Sequence, residues 1–186
     1  MIVEPTALPG VLLLKPAVHR DARGRLHEAW RADACAALGI GPFVQDNITC
    51  SSAGVLRGLH FQHPGGQGKL VGVLHGRVLD VAVDVRRGSP TFGAWTALAL
   101  DADTAWQLWI PPGFAHGFLA CAEDVVVQYR CTAYYDPAAQ RAIRWDDPDL
   151  GIDWPLRTPT LSPRDAAAPR LAALPPEALP PHDAGG

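Results

Sequence analysis

Among the side chains of this 186-residue chain that could move protons or hold anions, six stand out by their setting: Arg57, His60, Lys69, His116, Tyr129 and Asp165. Imidazole, carboxylate and phenol are the parts of a general acid–base set, and Arg and Lys are the usual partners of anionic oxygens. Residue type alone leaves proton transfer, anion binding and plain surface decoration all open. Arg57 and His60 belong to the strand-like run "LRGLHFQ" at 56–62. Strict alternation places His60 with Leu56 and Gly58, and Arg57 on the other face with Val55, Leu59 and Phe61. Both reach one pocket only if the strand bulges, and Gly58 is where a bulge would form. Otherwise they serve different surfaces.

The other groups each have a structural reading beside a chemical one. Lys69 opens "KLVGVLH" after a glycine-rich turn, where a lysine is ordinarily solvated. His116 follows the Pro-Pro-Gly turn of "IPPGFAHGFLA", a place for a packed histidine or a site residue. Tyr129 shares a face with Val125 and Val127, so its ring points inward and its phenol needs a partner. In "SPRD" Ser162 reads as N-cap, with Pro163 at the first helical position and Asp165 at the third, a capping-box arrangement. His60 and His63 fall on opposite faces of a strand, a poor spacing for a metal. Neither "HFQH" nor "AHGF" supplies the i, i+2 pair plus carboxylate of a metal-binding barrel, so no metal ligation is expected.

These residues must be held by short strands. A strand over 11–15, a turn at "DARG" and a second strand "RLHEAW" come first, then a helix over 31–38 ended by Gly39. From 43 to about 131, "GVLRGLHF", "KLVGVLH", "RVLDVAVDV", "FGAWTALAL", "WQLWI", "GFLAC" and "DVVVQYRC" follow one another, separated by Gly, Pro, Asp and Ser. Many short strands with few helices predict an antiparallel sandwich or barrel rather than a βαβ sheet. A short helix is expected near 163–173. One domain over 1–174 and a loose Pro-rich tail over 175–186 complete the expectation.

Composition narrows the classes. Hydrophobic residues are 48% and charged residues 19%, ordinary for a globular domain with a sizeable core. A net charge of −3 without a basic run gives no reason to expect a nucleic-acid partner. The apolar run "GVLLL" is too short for a membrane span or signal core and lacks a basic flank. A cytoplasmic protein with no membrane association is expected. The four cysteines show no CxxC spacing and read as reduced thiols.

Taken together, "DARGRLHE", "FVQDN", "GVLRGLHFQ", "QGKLV", "VLDVAVDVRRGSPTFGAW", "QLWIPPGFAHGFL", "YRCTAYY", "IRWDDPDLGIDWP" and "SPRDAAAP" resemble the dTDP-4-dehydrorhamnose 3,5-epimerases, cupin-fold enzymes of nucleotide-sugar metabolism. The resemblance runs from about Asp21 to Pro169. It implies a mainly β, jelly-roll domain and a dTDP-linked 4-keto-6-deoxy sugar as substrate, without a cofactor. The ketone at C4 acidifies the protons at C3 and C5; a base removes one, and a proton returns from the opposite face. On this resemblance His60 is the base, Asp165 the carboxylate that orients it, Tyr129 the general acid and Lys69 the support of the enolate oxygen. His116 lies close to the sugar or phosphate, and Arg57 pairs with the diphosphate. Arg23, Glu28, Gln45 and Asn47 match nucleotide-contacting positions, with Tyr134 a candidate to line or stack on the nucleotide. The resemblance also implies a homodimer whose N-terminal strands cross to the neighbour, so that Arg23 serves the partner's site.

Four positions depart from the commonest pattern of that family: Ile48 and Cys50 in "NITCSS", Gln140 where many members carry Glu, and Arg164 where some carry Lys. The alternative within the class is inversion of C3 only or C5 only. A metal-dependent cupin enzyme would need three or four converging His and carboxylate ligands. A non-catalytic sugar-nucleotide-binding module would have no use for base, orienting carboxylate and phenol together.

Overall fold

The computed structural model describes residues 1–182. Among the described residues thirteen strands carry the architecture. β1 (Ile2–Pro5), β2 (Leu12–Lys15), β10 (Gln107–Ile110), β7 (Lys69–His75), β12 (Val125–Cys131) and β5 (Gln45–Ser51) form one sheet in the order β1-β2-β10-β7-β12-β5. β13 (Gln140–Ala142), β6 (Leu56–Gln62), β11 (Phe114–Ala120), β8 (Arg77–Asp84) and β9 (Trp95–Asp101) form the second, in that order. β3 (Val18–Asp21) and β4 (Gly24–His27) make a separate two-stranded hairpin. The strand pairs of all three sheets are antiparallel. This is the expected cupin-type antiparallel sandwich.

Alternation explains which residues face inward. Val71 and Val73 of β7, Val78 and Ala82 of β8, Phe114 and Phe118 of β11, and Val125 and Val127 of β12 form the core between the sheets. The intervening Val81, Val83, Ala115 and Leu119 face the other way, into a second cluster closed by Leu150, Trp154, Leu171 and Leu179. The five-stranded sheet is therefore buried on both faces, and all seven residues of β11 are buried. Such a strand reads as a continuous apolar run.

Several elements differ from expectation. α1 (Ala32–Ala36) is five residues long, because Arg31 provides no side-chain cap and Gly39, at φ +70°, turns the chain back over Cys35. The second helix also stops early: α2 (Pro163–Ala166) is followed by a 3-10 turn at Leu171–Ala173, with Pro169 between them. The Pro-rich end is not loose where it is described. Ala178 and Leu179 are buried, the Arg87 amide donates to the Pro180 carbonyl at 2.8 Å, and the His182 amide donates to Arg87 at 3.0 Å. Leu179 gives that stretch an apolar anchor, and proline restricts the freedom it would otherwise lose on docking. Residues 183–186 of the expected tail lie outside the described residues.

A feature of β6 bears directly on function. His60 pairs with His116 and Arg57 with Phe118, so three steps of β6 oppose two of β11. The extra residue lies beside Gly58, whose φ is +124° and whose Cβ, if it had one, would sit 2.7 Å from the His116 carbonyl oxygen. Only glycine accepts that conformation and that approach.

Candidate active site

A cavity of about 610 Å³ opens between the two sheets, and His60, Lys69, His116, Tyr129, Asp165 and Arg57 all border it. The bulge at Gly58 resets the alternation of β6, and this is why Arg57 and His60 share one cavity. Each wall has its own chemistry. The five-stranded sheet supplies His60 from β6 and His116 from β11, whereas the six-stranded sheet supplies Lys69 from β7 and Tyr129 from β12.

Both histidines are backed by carboxylates. His60 Nε2 lies 2.6 Å from Asp165 Oδ1. Asp165 is delivered by α2, whose Ser162 Oγ accepts from the Asp165 amide at 3.1 Å. The capping position and the pairing with His60 are thus two uses of one residue, through its backbone and its side chain. Burial opposes ionisation of Asp165, but the hydrogen bond and charge of His60, with help from Ser162 and the Gly58 amide, outweigh it and hold the carboxyl below its ordinary range. An ionised carboxylate at this distance keeps the imidazole proton on Nε2 and leaves the lone pair on Nδ1. His116 Nε2 lies 3.0 Å from Asp80 Oδ2, both groups being buried. Asp80 shares the inward face of β8 with Val78 and Ala82. A carboxylate in mid-strand at an inward position of the apolar "RVLDVAVDV" was a readable signal that sequence reasoning passed over; Asp84, on the same face, ends the strand and is taken up by Arg86, Ser89 and Thr91.

The opposite wall carries donors. Lys69 is 9% exposed, follows the alternation of Val71 and Val73, and makes no protein hydrogen bond among the described residues. It is buried rather than solvated, contrary to the ordinary reading of a lysine at a strand mouth. Burial lowers its pKa, and the neighbouring Cys131 and Asp80 push against that. Tyr129 faces inward with Val125 and Val127, as its spacing requires. Burial and the neighbouring Cys131 raise its pKa, against an opposing effect of Arg57, so the phenol stays protonated at neutral pH.

The remaining candidates divide. Gln45, Asn47 and Arg57 border the cavity; Gln45 Nε2 donates to Asn47 Oδ1 at 3.0 Å, and Arg57 donates to Ser51 Oγ at 3.0 Å. Tyr134 does not belong to the cavity: it is 72% exposed, and its neighbour Tyr135 takes the place instead. Consecutive residues of a loop point different ways, and their order along the chain does not say which points inward. Tyr135 hydroxyl donates to Gln140 Oε1 at 2.6 Å, and Arg164 donates to the same oxygen at 2.7 Å. Arg23 and Glu28 are not brought to the cavity of their own chain. Arg23 is paired with Asp21 in the β3–β4 hairpin, and Glu28 lies 3.8 Å from Arg31. Among the described residues no three His, Cys, Asp or Glu side chains converge as a metal-ligand set, and no helix is long and apolar enough to cross a membrane.

The family profile described as dTDP-4-dehydrorhamnose 3,5-epimerase matches residues 5–173. A dTDP-4-dehydrorhamnose 3,5-epimerase of Neisseria gonorrhoeae is 50% identical over 182 residues, 96% of this chain and 55% of that protein, so the chain spans about half of that relative's length. The enzyme of the same name from Salmonella typhimurium is 49% identical over 92% of this chain and 96% of its own. Among solved structures, dTDP-6-deoxy-D-glucose-3,5-epimerase RmlC of Legionella pneumophila, in complex with dTDP-4-keto-L-rhamnose, superposes with a TM-score of 0.96 at 45% identity, covering 98% of this chain and 99% of that one. With motifs, fold and cavity in agreement, the chain belongs to the dTDP-4-dehydrorhamnose 3,5-epimerase family.

Proposed function

We propose that the protein inverts C3 and C5 of dTDP-4-dehydro-6-deoxy-D-glucose without a cofactor, giving dTDP-4-dehydro-L-rhamnose. The observation that carries this reading is the division of the cavity. A carboxylate-backed imidazole on one sheet faces a protonated phenol on the other. His60 Nδ1 takes the proton from the carbon next to the ketone, and its charge is balanced by Asp165. Negative charge moves to the C4 oxygen, where the Lys69 ammonium receives it in a site screened from water. Tyr129 then returns a proton to the opposite face of the same carbon. Imidazolium and phenolate are reset by solvent before the second centre reacts, so the net change is stereochemical alone.

Arg57 and Arg164 supply charge for the diphosphate, while Gln45, Asn47 and Tyr135 contact the nucleotide. The hairpin bearing Arg23 is a two-stranded sheet of its own, with Leu26 72% exposed at its surface. In a homodimer this hairpin crosses to the partner and brings Arg23 and Glu28 to the other subunit's nucleotide. A cytoplasmic site of reaction is part of this proposal. Incubation with the 4-keto-6-deoxy sugar nucleotide in D2O, followed by NMR, tests the assignment. Deuterium with inverted configuration at both C3 and C5 is expected, and a substrate unchanged at both positions refutes it.

A further inference from the structure

One polar atom in the cavity wall has no assigned purpose. Gln45, Asn47, Thr49 and Ser51 share the inward face of β5. Three of them are satisfied: Gln45 donates to Asn47, the Asn47 amide reaches Cys131 Sγ at 3.8 Å, and Ser51 accepts from Arg57. Thr49 is the exception. Its Oγ1 is shielded from solvent yet finds no hydrogen-bond partner among the described residues. In the sheet it is paired with the apolar Val127, a residue of the core between the sheets. A buried hydroxyl in such surroundings is costly unless something pairs with it.

Its position names the partner. On β12, Tyr129 is opposite Asn47, and Thr49 is the next inward residue toward Ser51 and the guanidinium it binds. Thr49 therefore stands on the cavity wall between Tyr129 and Arg57, within reach of a hexose whose reacting carbon lies at the phenol. Its side chain forms cavity wall while its oxygen is turned away, and one staggered step about χ1 exchanges oxygen and methyl. We infer that Thr49 is a substrate-binding residue whose hydroxyl donates a hydrogen bond to an oxygen substituent of the hexose. This rests on the epimerase reading of the cavity and assigns it a contact for the sugar, distinct from those for the nucleotide.

The test uses Thr49→Val, which keeps shape and removes the hydroxyl, and Thr49→Ser, which keeps the hydroxyl. Turnover is read by NMR in D2O, dTDP affinity by calorimetry and stability by thermal unfolding. For Thr49→Val a ~5–100-fold lower kcat/KM is expected, with dTDP affinity unchanged and Tm equal to or above wild type. Thr49→Ser is expected to remain within ~3-fold of wild type, because the hydrogen bond is kept. Wild-type kcat/KM in the valine variant overturns the inference, as does an equal loss in the serine variant. A fall in Tm together with dTDP affinity assigns the hydroxyl a structural role and also overturns it. Wild-type protein that leaves C3 and C5 unlabelled refutes the epimerase reading itself, and this contact with it.

Discussion

Replacing Asp165 by Asn removes the charge behind His60 while leaving the local backbone in place. The Ser162 cap is made to the Asp165 amide nitrogen, so α2 keeps its first turn. The His60–Asp165 contact of 2.6 Å sets the charge centres of an imidazolium and a carboxylate about 4 Å apart. At an effective dielectric constant of about 20, that attraction is ~4 kcal/mol. His60 is 27% exposed at its side chain and Asp165 5%, so solvent reduces the figure to ~3 kcal/mol. The attraction exists only once His60 has taken a proton, so its loss falls on the transition state. We expect kcat/KM to drop by ~10²–10³-fold, at 1.36 kcal/mol per tenfold, with dTDP affinity unchanged. Asp165 also makes stability depend on pH. Its carboxyl is held below the ordinary range, so its contribution is fully present above the unfolded value of about 3.9 and is lost as pH falls through the lower, folded value. Wild type and Asp165→Asn should therefore differ in Tm at neutral pH and converge in stronger acid. Deuterium incorporation followed by NMR, with dTDP titration and thermal melts across pH, measures all three. An Asp165→Asn enzyme within threefold of wild-type kcat/KM would refute the charge-balance argument.

Tyr129→Phe deletes the donor of the far wall and should cut inversion by ~10²–10⁴-fold. Exchange of substrate protons for deuterium without inversion should persist, and wild-type inversion rates would remove Tyr129 from the mechanism. Lys69→Met replaces a buried ammonium that has no protein hydrogen bond, so it should stabilise the fold by about 1–3 kcal/mol in urea unfolding while abolishing turnover. Because the folded pKa of Lys69 is depressed, its penalty is fully present below that value and relieved as pH rises through it towards the unfolded value of about 10.4. The stability gap should accordingly narrow in alkali, and a less stable methionine variant would contradict the account. Gly58→Ala forces a side chain into the left-handed region 2.5 Å from Gly117 Cα. It should cost about 1–3 kcal/mol in stability and lower kcat/KM more than dTDP affinity, which equilibrium unfolding and titration will check.

What the sequence determined by itself is local. Period-two patterning put Val125, Val127 and Tyr129 on one inward face, and "SPRD" announced a helix start at Ser162, because alternation and capping depend only on neighbours. The family motifs, being ordered along the chain, were legible too. Tertiary structure decided the rest. His60 and Asp165 are 105 residues apart and meet only when α2 docks against β6. Whether Arg57 joins His60 depended on a bulge that exists because Gly58 meets the backbone of β11. The choice of Tyr135 over Tyr134 depended on how a loop is tethered, through the Tyr135 amide to Gln45 and its hydroxyl to Gln140. The Pro-rich end looked loose because one leucine among prolines has no period to read, yet Leu179 finds a cluster assembled from β8, β11 and the 143–154 loop. Pairings between distant segments are set by the summed burial of whole sheets, and no window of neighbouring residues contains that sum.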